Sequence, residues 1–103
     1  MCELQNEGKT RYLGVSNFLP RHFAAMQVNK NGTADQQPQL NQIELHPLCV
    51  QADVVTYCTS HNMVIQQYSP LGKGNSKLVQ HPALLQLVDA HFRSFTVSDV
   101  LIM

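Results

Sequence analysis

The sequence predicts an α/β fold of about three strand–helix units, and three observations carry that prediction. Residues 12–17 (Tyr-Leu-Gly-Val-Ser-Asn), 41–47 (Asn-Gln-Ile-Glu-Leu-His-Pro) and 63–72 (Met-Val-Ile-Gln-Gln-Tyr-Ser-Pro-Leu-Gly) each pass from an apolar run into a short polar turn. A helical pattern follows each of them. The markers Leu13, Ile43 and Ile65 lie 30 and 22 residues apart, which leaves room for a strand, a helix and a return to the next strand.

Residues 1–8 read as the end of a helix: Leu4 is the one large apolar residue after Met1, and Gly8 supplies a left-handed stop. The first strand, residues 12–15, contains Gly14, which permits close approach of a neighbouring backbone or a ligand. Pro20 suits a first helical position, and Phe23 and Met26 give that helix an apolar side until residues 29–32 end it. Leu19 is a poor cap, at a cost of about 1 kcal/mol unless Asn17 supplies the acceptor. Residues 31–39 form a polar, exposed loop.

The second strand is built on Leu40, Ile43 and Leu45 and ends near His46, because a residue before proline is pushed to extended or turn geometry. Asn41, Gln42 and Glu44 are unusual in a strand buried on both faces, since a buried polar group without a partner costs about 1–3 kcal/mol. Either one face is solvated, or these residues have partners or a ligand.

Val50, Val54, Val55 and Cys58 have helical spacing over residues 50–60, and Asn62 is the expected stop. After the third strand Pro70, Gly72 and Gly74 make an open turn. His81 and Pro82 start a helix with Leu84, Leu87, Val88 and His91 on one side. Thr96 and Asp99 have capping-box spacing ahead of one more helical turn. That last helix is too short to stand alone, since isolated helices below about 12 residues are marginal. Both ends of the chain therefore read as cut.

A chain of 103 residues allows one small domain. Its 44% hydrophobic and 14% charged residues suit a globular interior, with so little charge that missing neighbours are expected to cover part of the surface. Seven basic residues balance seven acidic ones and are scattered, so neither nucleic acid nor an anionic membrane is an expected partner. Cys2, Cys49 and Cys58 fit no metal or redox spacing and follow no signal-peptide core, which points to free thiols in a reducing, cytoplasmic setting. The five histidines share no ligand spacing, so no metal is expected. No apolar run approaches the length of a membrane span.

Residues 8–18 (Gly-Lys-Thr-Arg-Tyr-Leu-Gly-Val-Ser-Asn-Phe), 41–47 and 68–72 (Tyr-Ser-Pro-Leu-Gly), in this order and at these separations, resemble the fifth, sixth and seventh strands of the aldo-keto reductases. The resemblance covers almost the whole chain. It implies a segment of a (β/α)8 TIM barrel, an incomplete barrel of about three βα units, with residues 1–103 forming a partial aldo-keto reductase domain; a complete barrel takes about 250 residues. By the same resemblance Ser16 and Asn17 hold the carboxamide of a nicotinamide ring and Gln42 helps orient it. Tyr68 stacks on one ring face, leaving the other open to a small carbonyl substrate. Ser69 and Leu71 lie along the cofactor pyrophosphate, with Gly72 and Gly74 letting the backbone approach.

The family reduces aldehydes and ketones with NADPH, using an Asp, Tyr, Lys and His set that comes from segments before the fifth strand. The resemblance thus assigns this chain cofactor-binding residues and no catalytic ones. The part that grips the adenosine 2′-phosphate would follow residue 103, so NADP is inherited from the family and NAD is not excluded. Glu44 and His46 belong to the family pattern and receive a structural role in their loop. The alternatives are a catalytically inactive truncated remnant or interaction module, and a small α/β binding domain.

Overall fold

Gly14 sets the distance at which the first two strands meet. In the computed structural model, which describes residues 1–28 and 37–103, β1 (Gly14–Ser16) runs parallel to β2 (Leu40–Glu44), with Gly14 opposite Leu40, Val15 opposite Asn41 and Ser16 opposite Gln42. A Cβ at Gly14 would stand 3.3 Å from Leu40 Cδ2, tighter than side chains normally tolerate. The close neighbour expected at this glycine is therefore the adjacent strand. β3 (Val64–Tyr68) completes the sheet in the order β1-β2-β3. The sequence-predicted helix stop at residues 29–32, and residues 31–36 of the predicted loop, lie outside the described residues.

The chain divides into two units. The first comprises Met1–Ile43 and Gln51–Gln66. It holds α1 (Cys2–Asn6), α2 (Pro20–Val28) and α3 (Ala52–Ser60). α1 stops at Gly8, left-handed at φ 70° as the sequence predicts. Leu13, Phe23, Ile43, Val54, Cys58 and Met63 are buried, Ile43 and Cys58 completely. Fully burying a Val, Leu, Ile, Phe or Met side chain stabilises by about 1.5–3 kcal/mol, so these few residues account for much of the unit's cohesion. α2 lies on α3 through the stacked rings of Phe23 and Tyr57, 4.9 Å apart, and His61 stacks on the far side of Tyr57 at 4.1 Å.

Among the described residues of this unit the buried polar one is Asn41, with no exposed surface. Its Oδ1 accepts from the Phe18 amide at 3.3 Å and its Nδ2 donates to the Phe18 carbonyl at 2.9 Å. The side-chain amide thus does for Phe18 what a strand neighbour would do, and its partner is the chain itself. Gln39 extends the same ladder, exchanging hydrogen bonds with the backbone of Leu13 and accepting from the Val64 amide at 2.8 Å. This corrects the C-terminal end of the expected exposed loop: Pro38 is buried and Gln39 half-buried, because the sheet begins to claim the backbone there.

The helix expected over residues 50–60 starts two residues later. Gln51 adopts a left-handed conformation, φ 45° and ψ 48°, which breaks the helix before Ala52 and leaves Val50 60% exposed, outside the buried stripe. Asn62 is left-handed at φ 54°, as expected of the stop. Leu19 has no capping side chain of its own; its amide donates to His22 Nδ1 at 3.1 Å, one turn into α2.

The second unit comprises Glu44–Val50 and Gln67–Met103. It holds a 3-10 turn (Gly72–Gly74), α4 (Ser76–Val79), α5 (Pro82–His91) and α6 (Val97–Ile102). The sequence reading passed over α4, whose signal was Asn75: its side chain accepts from the Lys77 amide at 2.9 Å. α4 delivers Leu78, completely buried. α5 starts as expected at Pro82, with His81 Nδ1 accepting from the Ala83 amide. Its predicted stripe is only half-covered: Leu84 and Val88 are half-buried, Leu87 is 40% exposed and His91 is exposed.

The capping box at α6 is present. Asp99 Oδ2 accepts from the Thr96 amide and hydroxyl at 2.7 Å, and the Asp99 amide donates to Thr96 Oγ1 at 3.2 Å. The Thr96 hydroxyl, and then its amide, hold the Asp99 carboxyl below the usual carboxylate range.

Asn41→Leu keeps the forked shape of the side chain but strands the Phe18 amide and carbonyl. Urea unfolding monitored by circular dichroism should show a loss of about 1–3 kcal/mol. A carboxyl with a depressed folded pKa contributes stability that is present above the ordinary carboxylate pKa and lost as pH falls through the folded value. The amides of α6 should therefore lose protection, relative to their intrinsic exchange rates, on the acid side in pH-dependent NMR spectra, and Asp99→Asn should flatten that dependence.

Candidate functional site

β1 ends at Ser16, and the next residue, Asn17, turns left-handed at φ 57°, a conformation asparagine tolerates better than most residues. The Asn17 amide donates to the Gln42 carbonyl at 2.9 Å, and Ser16 Oγ donates to the same oxygen at 3.1 Å. Gln42, opposite Ser16 in the register, extends its side chain toward β3, where Nε2 donates to Gln66 Oε1 at 3.2 Å. Three of the six sequence-predicted cofactor residues, Ser16, Asn17 and Gln42, thus share one cluster at the C-terminal ends of two parallel strands. Such strand ends are where α/β folds place ligands.

The side chains of Ser16 and Asn17 are exposed and Gln42 is half-buried. A hydroxyl and two amides present both donors and acceptors, the set that a carboxamide requires, since its NH2 donates and its oxygen accepts. The donor chemistry therefore fits a nicotinamide carboxamide. Gln66 was not foreseen; its signal is its place on β3 and its amide, which matches that of Gln42.

The other three predicted residues lie in the second unit. Tyr68 closes β3 and is half-buried, as are Ser69 and Leu71. Ser69 is left-handed at φ 50°, and its carbonyl accepts from the Gly72 amide at 2.8 Å. Gly72, Lys73 and Gly74 follow at φ 57°, 58° and 77°, and the Gly74 amide donates to Leu71 O at 3.1 Å. The turn therefore closes on itself, with the Gly72, Gly74 and Asn75 amides all donating to carbonyls within it. Gly72 is required twice over, by its positive φ and because a Cβ would stand 3.1 Å from Leu78 Cδ2; at Gly74 the space is open.

In the loop after β2, His46 and Cys49 form a two-residue antiparallel bridge, and His46 Nε2 stands 3.5 Å from Glu44 Oε1. Among the described residues no group of three or more His, Cys, Asp or Glu side chains could hold a metal ion, and no helix is long and apolar enough to cross a membrane. A cleft of ≈ 440 Å³ lies beside the first turns of α2 and α3, between Arg21 and Asp53, and none of the six candidate residues lines it.

The profile of the Aldo/keto reductase family matches residues 1–80. Among curated proteins, an aldo-keto reductase of Mycolicibacterium vanbaalenii is 39% identical over 102 residues, which is 99% of this chain and 34% of that protein. An aldehyde reductase of Saccharomyces cerevisiae is 34% identical, covering 88% of this chain and 28% of its own length. A glycerol 2-dehydrogenase (NADP(+)) of the same yeast is also 34% identical, covering 84% and 27%. Among solved structures, an aldo/keto reductase from Brucella melitensis superposes on 98% of this chain with a TM-score of 0.80 at 29% identity, and 35% of that structure is covered. An aldo-keto reductase from a deep-sea metagenome library gives 0.82 at 27% identity. The chain spans about a third of the length of these relatives, and its α/β segment matches part of their barrel. The chain belongs to the aldo/keto reductase family.

Proposed function

We propose that this chain is the nicotinamide-holding part of an NADPH-dependent reductase of aldehydes and ketones. The observation that carries the reading is the cluster of Ser16, Asn17 and Gln42 about one carbonyl oxygen at the ends of β1 and β2. In support, the similar yeast proteins are named an aldehyde reductase and an NADP(+)-linked glycerol dehydrogenase. When bound, the nicotinamide supplies or accepts a hydride.

Ser16 and Asn17 take the carboxamide, and Gln42, tethered to Gln66, fixes its plane. Tyr68 covers one face of the ring and keeps water from it, while the opposite face stays open to the substrate carbonyl. Ser69 and Leu71 run along the pyrophosphate. Proton donation falls to an Asp, Tyr, Lys and His set outside this segment, so Tyr68 has no part in proton transfer. NADPH is preferred to NADH on family grounds, and the three free cysteines agree with a reducing, cytoplasmic setting. A second reading, a non-catalytic interaction module, is favoured by the exposed Leu85, Leu87 and Phe95 on and after α5.

The two readings separate in a chimera in which this chain replaces the matching segment of the Mycolicibacterium protein. The reductase reading expects NADPH-dependent reduction of a generic aldehyde. In that chimera Asn17→Gly, which keeps the left-handed turn and removes only the side chain, should raise the KM for NADPH roughly tenfold, as for loss of a good hydrogen bond. A folded chimera that does not bind NADPH would contradict the reading. The 103-residue chain alone should show no turnover of the aldehyde; turnover abolished by Tyr68→Phe would overturn the stacking assignment.

A further inference from the structure

Side chains alternate along β2: Asn41 and Ile43 are fully buried, so Gln42 lies on the opposite face of the sheet. Its backbone carbonyl already accepts from the Asn17 amide and from Ser16 Oγ. The side chain is held separately. Nε2 donates to Gln66 Oε1 at 3.2 Å, and among the described residues nothing donates to Gln42 Oε1. The nitrogen and oxygen of an amide diverge from one carbon, one end donating and the other accepting. With its nitrogen drawn toward β3 by Gln66, Gln42 has its oxygen turned away from β3, and that oxygen is an acceptor without a partner.

We propose that Gln66 is a positioning residue that fixes Gln42 as the hydrogen-bond acceptor of the carboxamide site, so that the site selects cofactors whose ring substituent carries an N–H donor. The inference deepens the cofactor reading and rests on it for its functional meaning. An acceptor pinned in place penalises a ligand that brings it no donor, because binding then takes the oxygen out of water and leaves it unpaired. The same amide, released from Gln66, escapes that penalty by turning its oxygen back to solvent.

Two substitutions separate the hydrogen bond of Gln66 from its bulk. Gln66→Met removes the acceptor at nearly constant length; Gln66→Glu keeps one, and an ionised carboxylate can only receive the Gln42 N–H. The ligands are NADP+ and its acetylpyridine analogue, which has the same charge and the same carbonyl oxygen but a methyl group in place of the NH2. Binding to the ¹⁵N-labelled 103-residue chain is read from backbone amide shifts, and the tether from hydrogen exchange of the Gln42 and Gln66 side-chain NH2 groups. In the unmodified chain the Gln42 NH2 should exchange about threefold more slowly than that of Gln66, and Gln66→Met should speed it by about the same factor. The unmodified chain and Gln66→Glu should bind NADP+ about tenfold more tightly than the analogue, and in Gln66→Met the ratio should fall to about threefold. Slower exchange on Gln66 than on Gln42, or a ratio that falls equally in both variants or in neither, would overturn the proposal.

The cofactor reading fails separately. If neither dinucleotide shifts any amide of the unmodified chain while Gln66→Met still speeds exchange of the Gln42 NH2, the tether stands and the cofactor reading falls. Saturable binding of NADP+ with no preference over the analogue keeps the cofactor reading and overturns the selection.

Discussion

The pair of hydrogen bonds between the Asn41 side chain and the Phe18 backbone is the constraint on which the candidate site depends. β1 is only three residues long, and beyond Ser16 no regular pairing holds the chain to β2. The Asn41 amide supplies that hold from within β2, in a position with no access to water. Low dielectric strengthens the contact and makes its loss costly, so this side chain anchors the turn between β1 and α2, which His22 Nδ1 also holds at the Leu19 amide. With Phe18 held, Asn17 must reverse the chain in a single left-handed residue, and its amide falls on the Gln42 carbonyl. Ser16, Asn17 and Gln42 come together as a consequence.

A similar division of labour recurs at the end of β3. Ser69, Gly72, Lys73 and Gly74 all take positive φ, and of the two glycines only Gly72 has neighbouring side chains where a Cβ would stand. Conformations of this kind carry a local cost that the surrounding packing must offset, and they concentrate where a ligand needs backbone N–H groups close at hand. The completely buried Leu78, on a helix of four residues, supplies part of that packing. At both strand ends, buried residues hold in place the more exposed ones proposed to bind the cofactor.

Much of this was legible in the sequence wherever one residue's intrinsic preference decides the local structure. Gly8 and Asn62 as helix stops, Pro82 behind His81 as a start, and Thr96 with Asp99 as a capping box all rest on short-range chemistry, and all are found. Gly14 was legible as a place of close approach, though only the register shows that Leu40 is what approaches. The family resemblance reached the fold, which local patterns alone leave open between several α/β arrangements. What escaped depended on contacts distant in sequence. Asn41 was flagged as needing a partner, but nothing in its neighbourhood named Phe18, 23 residues away. Val50 satisfies a helical stripe on spacing alone, yet Gln51 turns left-handed ahead of α3 and puts Val50 outside it. The α5 stripe is legible as periodic, but periodicity reports amphipathicity and not what lies against it, and Leu87 and His91 are exposed.

The central claim is that Ser16, Asn17 and Gln42 of this chain hold a nicotinamide carboxamide, and NMR titration of the ¹⁵N-labelled protein with NADPH tests it most directly. The account predicts saturable shifts of the Asn17 and Gln42 side-chain amide signals and of the Ser16 backbone amide, with smaller changes in α5 and α6. Saturable shifts that leave all three residues untouched, or no shift anywhere at millimolar NADPH, would contradict it.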